Sequence, residues 1–341
     1  MLAVAALAAL AVRHRTAVAA VPRELRHPVL YLPLHLGSAT LALARRLPFP
    51  GARIRAGVHI EQRLVPGSPD SPPVGVVTYR RAGSAGTGGA LLWIHGGGTV
   101  LGTPAMGHAW CSRVAAELDV LVVSADYRLA PEHPYPAGLD DCCRVLRWLH
   151  EHAAEWGVDP ARVAVGGDSA GGGLAAALAQ RAYDTGVPVR LQLLVYPMLD
   201  DRTVLRGKPD HPGFVWTAPS NRFGWTSYLG RSPQADDDRP YAAAARRPEL
   251  AGLSPAWIGV GDLDILHREN VAYAARLRAA GVDCDLRVVP GMYHGADALL
   301  DGREPSMTAF RAAMLEALRA ALTGPAAADP GPEVRPQPSC T

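Results

Sequence analysis

Two glycines flank a serine in Gly167-Asp168-Ser169-Ala170-Gly171. An apolar run, Arg162-Val163-Ala164-Val165, precedes this motif, and a helix-forming run, Leu174-Ala175-Ala176-Ala177-Leu178, follows it. Strand, sharp turn and helix in that order lift a serine hydroxyl from the end of a sheet to a helix N-terminus. Gly167 and Gly171 allow the strained turn and the close packing that this requires. Asp168 invites a catalytic role, but its place inside the turn suits a residue that holds the turn together. An ordinary glycine-rich helix start could also read G-x-S-x-G; here the pattern occurs once, in the context that the chemistry needs.

A second cluster, His95-Gly96-Gly97-Gly98, directly follows the run Leu91-Leu92-Trp93-Ile94. Acyl transfer requires N–H donors aimed where a carbonyl oxygen becomes negative, and bare glycine backbone lets such donors come close. Gly97 and Gly98 are the expected donors, with the N–H of Ala170 as the third. His95 and Gly96 read as structural, His95 holding the loop by hydrogen bonds and not serving as a base. A phosphate-binding turn is the alternative for this cluster, but no dinucleotide fingerprint with its downstream acid follows.

A serine hydroxyl is a poor nucleophile until a base takes its proton, and the base needs an orienting acid. After a turn of this kind the chain order is serine, acid, histidine. Of the twelve histidines, His267 and His294 meet that order with room to spare. His267 opens a helix-like run and lies too near the candidate acids. His294 sits in Pro290-Gly291-Met292-Tyr293-His294-Gly295, directly after the strand-like Leu286–Val289, and is the expected base. The acid belongs after Ala256–Val260, where Asp262 and Asp264 both lie in Gly261-Asp262-Leu263-Asp264-Ile265-Leu266. Spacing does not separate the two.

These side chains need a scaffold. Strand-like runs occur at Gly75–Tyr79, Leu91–His95, Val120–Ala125, Arg162–Gly166, Leu191–Tyr196, Trp257–Val260 and Leu286–Val289. Helix-compatible stretches lie between and after them, at His108–Leu118, Asp140–His152, Ala170–Tyr183, Arg268–Ala280 and Thr308–Leu322. Such alternation predicts a mostly parallel central sheet flanked by helices on both faces. Several of the strands are continuously apolar, as parallel strands buried on both sides must be. Residues 1–50 are rich in Ala and Leu and read as an N-terminal helical cap segment. Residues 51–323 form the expected catalytic domain. Within it, residues 202–241 break the rhythm, carrying Trp216, Phe223, Trp225 and Tyr228 among Pro, Gly and Asp. That stretch reads as an inserted cover. The Pro-rich residues 324–341 read as a disordered tail.

Bulk properties narrow the function. Positive and negative side chains nearly cancel, at a net +2, and Lys208 is the only lysine. With no Arg-rich run, nucleic acid is excluded as an expected partner. The cysteines, Cys111, Cys142, Cys143, Cys284 and Cys340, are odd in number and have no zinc-ligand spacing, so neither a disulfide framework nor a structural metal is expected. Cys142 and Cys143 read as small buried thiols opening a helix. The apolar run Leu2 to Val12 precedes Arg13-His14-Arg15, the reverse of a secretory signal, and is too short to span a bilayer. The expected location is cytoplasmic; export or membrane association through residues 1–26 is the less favoured alternative.

Taken together, the motifs resemble the hormone-sensitive-lipase-like branch of the α/β-hydrolases, which includes many bacterial carboxylesterases. The likeness runs from about Leu91 to Ala298. Besides the glycine clusters it takes in the run from Asp126 to Ala137, Tyr196-Pro197-Met198-Leu199-Asp200 and Gly291–Gly295. The resemblance implies an α/β-hydrolase fold with a helical cap, which residues 1–50 and 202–241 would supply. It also places the acid on Asp264, from a G-x-x-D-x-L context. The usual continuation D-P-L-x-D-E departs here to Asp264-Ile265-Leu266-His267-Arg268-Glu269, with Arg268 in place of a second aspartate. Asp126 and Glu132 read as loop anchors.

The implied activity is carboxylester hydrolysis by Ser169, His294 and Asp264 through an acyl-enzyme, without metal or organic cofactor; Trp216, Trp225 and the apolar N-terminus suggest a hydrophobic pocket for short to medium acyl esters. The expected partner is a small-molecule ester; the oligomeric state is open, and a dimer is compatible with it. An amidase or deacetylase would use the same three residues. A non-catalytic ligand receptor on the same scaffold would lack one of them, and this sequence retains all three.

Overall fold

The computed structural model describes residues 16–32, 35–47, 53–69, 71–84, 88–207 and 213–323. In chain order these residues form α1 (Ser38–Arg46), β1 (Val58–Val65), β2 (Val74–Arg81), β3 (Gly88–Ile94), α2 (His108–Leu118), β4 (Leu121–Asp126), α3 (Ala137–Glu151), β5 (Val158–Asp168) and α4 (Ala170–Asp184). They continue as β6 (Leu191–Val195), α5 (Ala218–Leu229), β7 (Ala256–Gly261), α6 (His267–Ala279), β8 (Cys284–Val289), α7 (Ala296–Leu300) and α8 (Pro305–Leu322).

The strands make one sheet in the order β1-β2-β4-β3-β5-β6-β7-β8. β2 runs antiparallel to β1 and β4, and every neighbouring pair from β4 to β8 is parallel. The all-apolar runs end up where parallel sheets put them, with Leu91, Leu92, Val165, Leu193 and Leu194 fully buried between two helical layers. On one face α3 and α4 carry Leu139, Leu146, Leu149 and Leu178, joined by Tyr273 and Leu277 of α6. On the other, α2 and α8 carry Trp110, Val114, Phe310 and Leu318, joined by Val18, Val21 and Leu25 from the N-terminal segment. The alternation predicted from sequence is thus realised as the expected α/β-hydrolase architecture.

Three features differ from the sequence reading. β1 has no counterpart there: it is an edge strand whose residues are mostly exposed, so its composition carries no core signal. Residues 202–241 contain a helix, α5, rather than wholly irregular chain. Seven of its twelve residues are buried, but that face includes Ser220, Asn221, Gly224 and Ser227, so no apolar stripe marks it in the sequence. Cys142 and Cys143 lie inside α3, which begins at Ala137, instead of opening it.

The described part of the N-terminal segment is helical at residues 16–20, makes short turns at Arg23–Leu25 and Pro28–Tyr31, and ends in α1. Arg45 of α1 fastens it to the body, donating to the carbonyls of Val100 and Ala130 and to both carboxylate oxygens of Glu132. The run Leu2–Val12 and the tail 324–341 lie outside the described residues. Among the described residues no helix is long and apolar enough to cross a membrane. Cys111, Cys142, Cys143 and Cys284 are free and buried.

The inserted segment is held by a buried ion pair. Arg246 donates from Nε to Asp201 Oδ1 at 2.7 Å and from Nη2 to Oδ2 at 2.9 Å, and Asp201 is completely shielded from solvent. Removing one partner of such a pair strands a buried charge, at a cost of about 3–5 kcal/mol. Arg246→Ala should therefore lower unfolding stability by that amount in a urea titration, whereas truncating the exposed Arg287 should leave the midpoint unchanged within error.

Candidate active site

β5 ends at Asp168 and α4 begins at Ala170, so Ser169 is the whole of the turn between them. Its backbone sits at φ +56°, ψ −121°, outside the regions that a side chain tolerates freely. Such strain costs about 1–3 kcal/mol and persists only where surroundings enforce it. Here they do. The Ser169 N–H donates to the carbonyl of Val195 at 2.8 Å, and the Ser169 carbonyl accepts from Met198 and Gly173, each at 3.0 Å. A methyl group on Gly167 would meet the Ile94 carbonyl oxygen at 2.5 Å, and one on Gly171 would meet the His95 carbonyl oxygen at the same distance. Neither glycine can be replaced without moving β3.

Ser169, His294 and Asp264 come together as one hydrogen-bonded chain. His294 Nε2 lies 2.9 Å from Ser169 Oγ, and its Nδ1 lies 2.7 Å from Asp264 Oδ2. All three residues are buried. The other Asp264 oxygen accepts from the N–H of Leu266 at 2.9 Å, which fixes the carboxylate's orientation. Asp262 points elsewhere. Its Oδ1 accepts from the Gly291 N–H at 2.7 Å and steadies the start of the loop bearing His294. His267 is the first residue of α6.

The glycine loop lies against this chain. Asp168 Oδ1 accepts from the N–H of Gly96 at 3.2 Å, so Asp168 ties the serine turn to the loop. Burial, reinforced by the negative charge of Asp297, pushes the Asp168 carboxyl up to about 6. His95 bonds through Nδ1 to the Gly96 carbonyl at 2.8 Å and stacks on Tyr127 at 4.4 Å, and the Tyr127 hydroxyl donates to the His95 carbonyl. Burial drives His95 down to about 4, against the opposing pull of the Gly96 carbonyl, so the ring is neutral at pH 7. Gly97 and Gly98 adopt φ +113° and +62°. The Ala170 N–H is the first amide of α4 and has no carbonyl of its own helix to meet.

Aromatic residues singled out in the inserted cover reach the site, together with residues to which the sequence assigned no role. Trp216 covers it: the ring lies against the bare Cα of Gly98, with its centre 6.3 Å from that of His294. Its indole N–H donates to Asn221 at 3.2 Å. The preceding Val215 holds φ +65°, a strained conformation for a β-branched residue, in a tight turn closed by Trp216 N–H to the Phe214 carbonyl. Beside Ala170 a narrow pocket runs between Leu174, Met198, Trp225 and Tyr228. Glu269, which follows the position of the missing aspartate, is buried and pushed up to about 8, accepting from the N–H groups of Leu199 and Asp200. Of the two proposed loop anchors, Glu132 receives Arg45; the loop after β4 is also gripped by Asp141, which binds the backbone N–H and guanidinium of Arg128.

A model of the alpha/beta hydrolase fold matches residues 91–298. The chain belongs to the α/β-hydrolase family. Its relatives bear out the resemblance to the hormone-sensitive-lipase-like branch. A carboxylic ester hydrolase of Mycobacterium tuberculosis, LipN, is 38% identical over 72% of this chain and 66% of its own length. The esterase LipI of the same organism is 37% identical over 79% of this chain and 86% of its own. Among solved structures, a bacterial heroin esterase superposes with a TM-score of 0.81 at 35% identity, covering 89% of this chain and 99% of that one.

In this hydrolase the raised Asp168 carboxyl has a pH signature. Because the fold favours its neutral form, the stability it contributes is present at low pH and is lost as pH rises from about 4 through about 6. Asp168→Asn keeps an acceptor for Gly96 without the charge. It should melt at a higher temperature than the parent at pH 8, with the gain shrinking to nothing near pH 4. A gain that is constant across this range would contradict the assignment.

Proposed function

We propose that this chain hydrolyses carboxylic esters through an acyl-enzyme on Ser169. The observation that carries the reading is the unbroken chain from Ser169 Oγ through His294 to Asp264, at 2.9 and 2.7 Å, beginning on a strained turn at a helix N-terminus. His294 Nε2 takes the hydroxyl proton as Oγ attacks the ester carbonyl, and Asp264 holds Nδ1–H so that the free nitrogen faces the serine. The N–H groups of Gly97, Gly98 and Ala170 receive the oxyanion. The alcohol departs with the proton from His294. Water, deprotonated by the same nitrogen, then releases the acid and restores Ser169. The names of the relatives LipN and LipI, an ester hydrolase and an esterase, favour this bond over an amide.

The pocket beside Ala170 is the acyl site of this reading. Its walls of Leu174, Met198, Trp225 and Tyr228 are apolar and close together, which suits short to medium acyl chains. The N-terminal stretch from His35 through α1 and the described part of the insertion act as the cap: His35 bonds Thr217, and the N–H of Leu36 bonds Ser220, so the two segments are tied to one another.

Ser169→Ala should abolish hydrolysis of p-nitrophenyl acetate and butyrate while leaving the melting temperature within a few degrees. Asp264→Asn preserves shape but misorients the imidazole, and kcat should fall about 10⁴-fold. Rates on p-nitrophenyl esters should peak at short to medium chains and exceed those on the matched anilides. Equal rates on ester and anilide would favour the amidase.

A further inference from the structure

Behind the imidazole of His294 lies a buried set of side chains that the chemistry above does not use. Tyr196 packs its ring against His294, with centroids 4.6 Å apart. The Tyr196 hydroxyl donates to Asp297 Oδ1 at 2.9 Å, and Asp297 Oδ2 accepts from Arg311 Nε at 3.0 Å. Tyr196 and Asp297 are almost wholly shielded from solvent, and the Arg311 side chain nearly so. The three come from different elements: Tyr196 directly follows β6, Asp297 lies in α7, and Arg311 is in α8.

The backbone around Tyr196 is equally constrained. Its φ is +36°, rare for a residue with a side chain, and its N–H donates to the Gly259 carbonyl. One residue before it, Val195 accepts from the N–H of Ser169; two residues after it, Met198 donates to the Ser169 carbonyl. Asn270 of α6 clamps the intervening Pro197 carbonyl at 2.8 Å. A single short segment therefore grips the nucleophile through its backbone and meets the base through its side chain. Asp297 follows His294 by three residues. Its bond to Tyr196 ties the loop bearing the base back to the segment bearing the nucleophile.

We infer that Tyr196, Asp297 and Arg311 are positioning residues for His294: Tyr196 sets the plane of the imidazole, Asp297 sets Tyr196, and Arg311 neutralises Asp297. This rests on the assignment of His294 as base to Ser169. The physical need is clear. The His294 ring is fixed in its own plane by Ser169 and Asp264, but hydrogen bonds at its two nitrogens leave it free to rock about the line joining them. A ring packed against it at a tilt of 57° limits that freedom. An aspartate alone behind the site would hold Tyr196 but place an unpaired charge beside Asp168; Arg311 cancels it.

The test uses the full chain and four variants: Tyr196→Phe, Asp297→Asn, Arg311→Ala and Arg311→Lys. Active sites are counted by fluorophosphonate titration, so that kcat refers to folded, reactive protein. Tyr196→Phe keeps the ring but frees it from Asp297; kcat should fall about tenfold with KM unchanged, since small misplacements of a reacting group cost up to about a hundredfold. Arg311→Ala should lose as much and Arg311→Lys should recover most of it. Asp297→Asn, which still accepts from Tyr196, should lie between. In proton spectra, the low-field signal of the His294 Nδ1–H should be sharp in the parent and broadened by solvent exchange in Tyr196→Phe. Wild-type kcat per titrated site and an unchanged low-field signal in Tyr196→Phe overturn the inference, even if its melting temperature drops. If the parent itself neither reacts with fluorophosphonate nor turns over ester, the assignment of Ser169 and His294 has failed instead.

Discussion

Everything at the site depends on holding one serine where a serine backbone does not rest by itself. The conformation of Ser169 is enforced from two sides. The Val195 carbonyl and the Met198 N–H bracket its peptide groups, and β3 presses so closely that only glycine fits at positions 167 and 171. The energy of that strain is supplied by the sheet, whose central strands are buried on both faces and cannot yield locally. The proposed nucleophile is thus built on the closely packed centre of the sheet, and the loops around it are tied to that centre by direct bonds. Asp168 reaches Gly96, Asp262 reaches the loop bearing His294, and Asp264 turns its second oxygen to the N–H of Leu266.

The cover is organised differently. Its helices, α1 and α5, and the chain around them are held by polar side chains reaching across long separations: Arg45 to Val100 and Glu132, His35 to Thr217, Arg246 to Asp201. Trp216 is its point of contact with the chemistry, lying on Gly98 and beside His294. Arg45 binds the carbonyl two residues beyond Gly98, so the N-terminal segment touches the glycine loop directly and does more than roof it. Substrate choice can shift with residues of the cover while the serine turn remains untouched.

How much of this was legible in the sequence follows from the range of each constraint. The serine turn and the glycine loop are steric problems solved within five residues, so their solutions appear as contiguous motifs. The parallel strands are legible because burial on both faces demands unbroken apolar runs. Asp262 and Asp264 are equivalent by spacing; only the fold decides which faces His294 and which faces Gly291, and the family pattern supplied that decision in advance. α5 was hidden because its buried face is built largely from Ser220, Asn221, Gly224 and Ser227, which leave no apolar period to read. Asp297 and Arg311 were hidden for another reason, as was the part played by Tyr196, which stood in the family run 196–200 without a role of its own. They are ordinary residues, and nothing local marks a tyrosine and an aspartate 101 positions apart as partners.

The separation between Ser169 and His294, at 125 residues, has a consequence for the chain while it is being made. Synthesis runs from the N-terminus, so the proposed nucleophile leaves the ribosome long before its proposed base does. Until β7, β8 and the loop after them have been added to the sheet, Ser169 is an ordinary alcohol in a half-finished fold. In the proposed mechanism Ser169 therefore gains its base only with the final elements of the sheet. Completion of the sheet and the assembly of the proposed catalytic chain are one event.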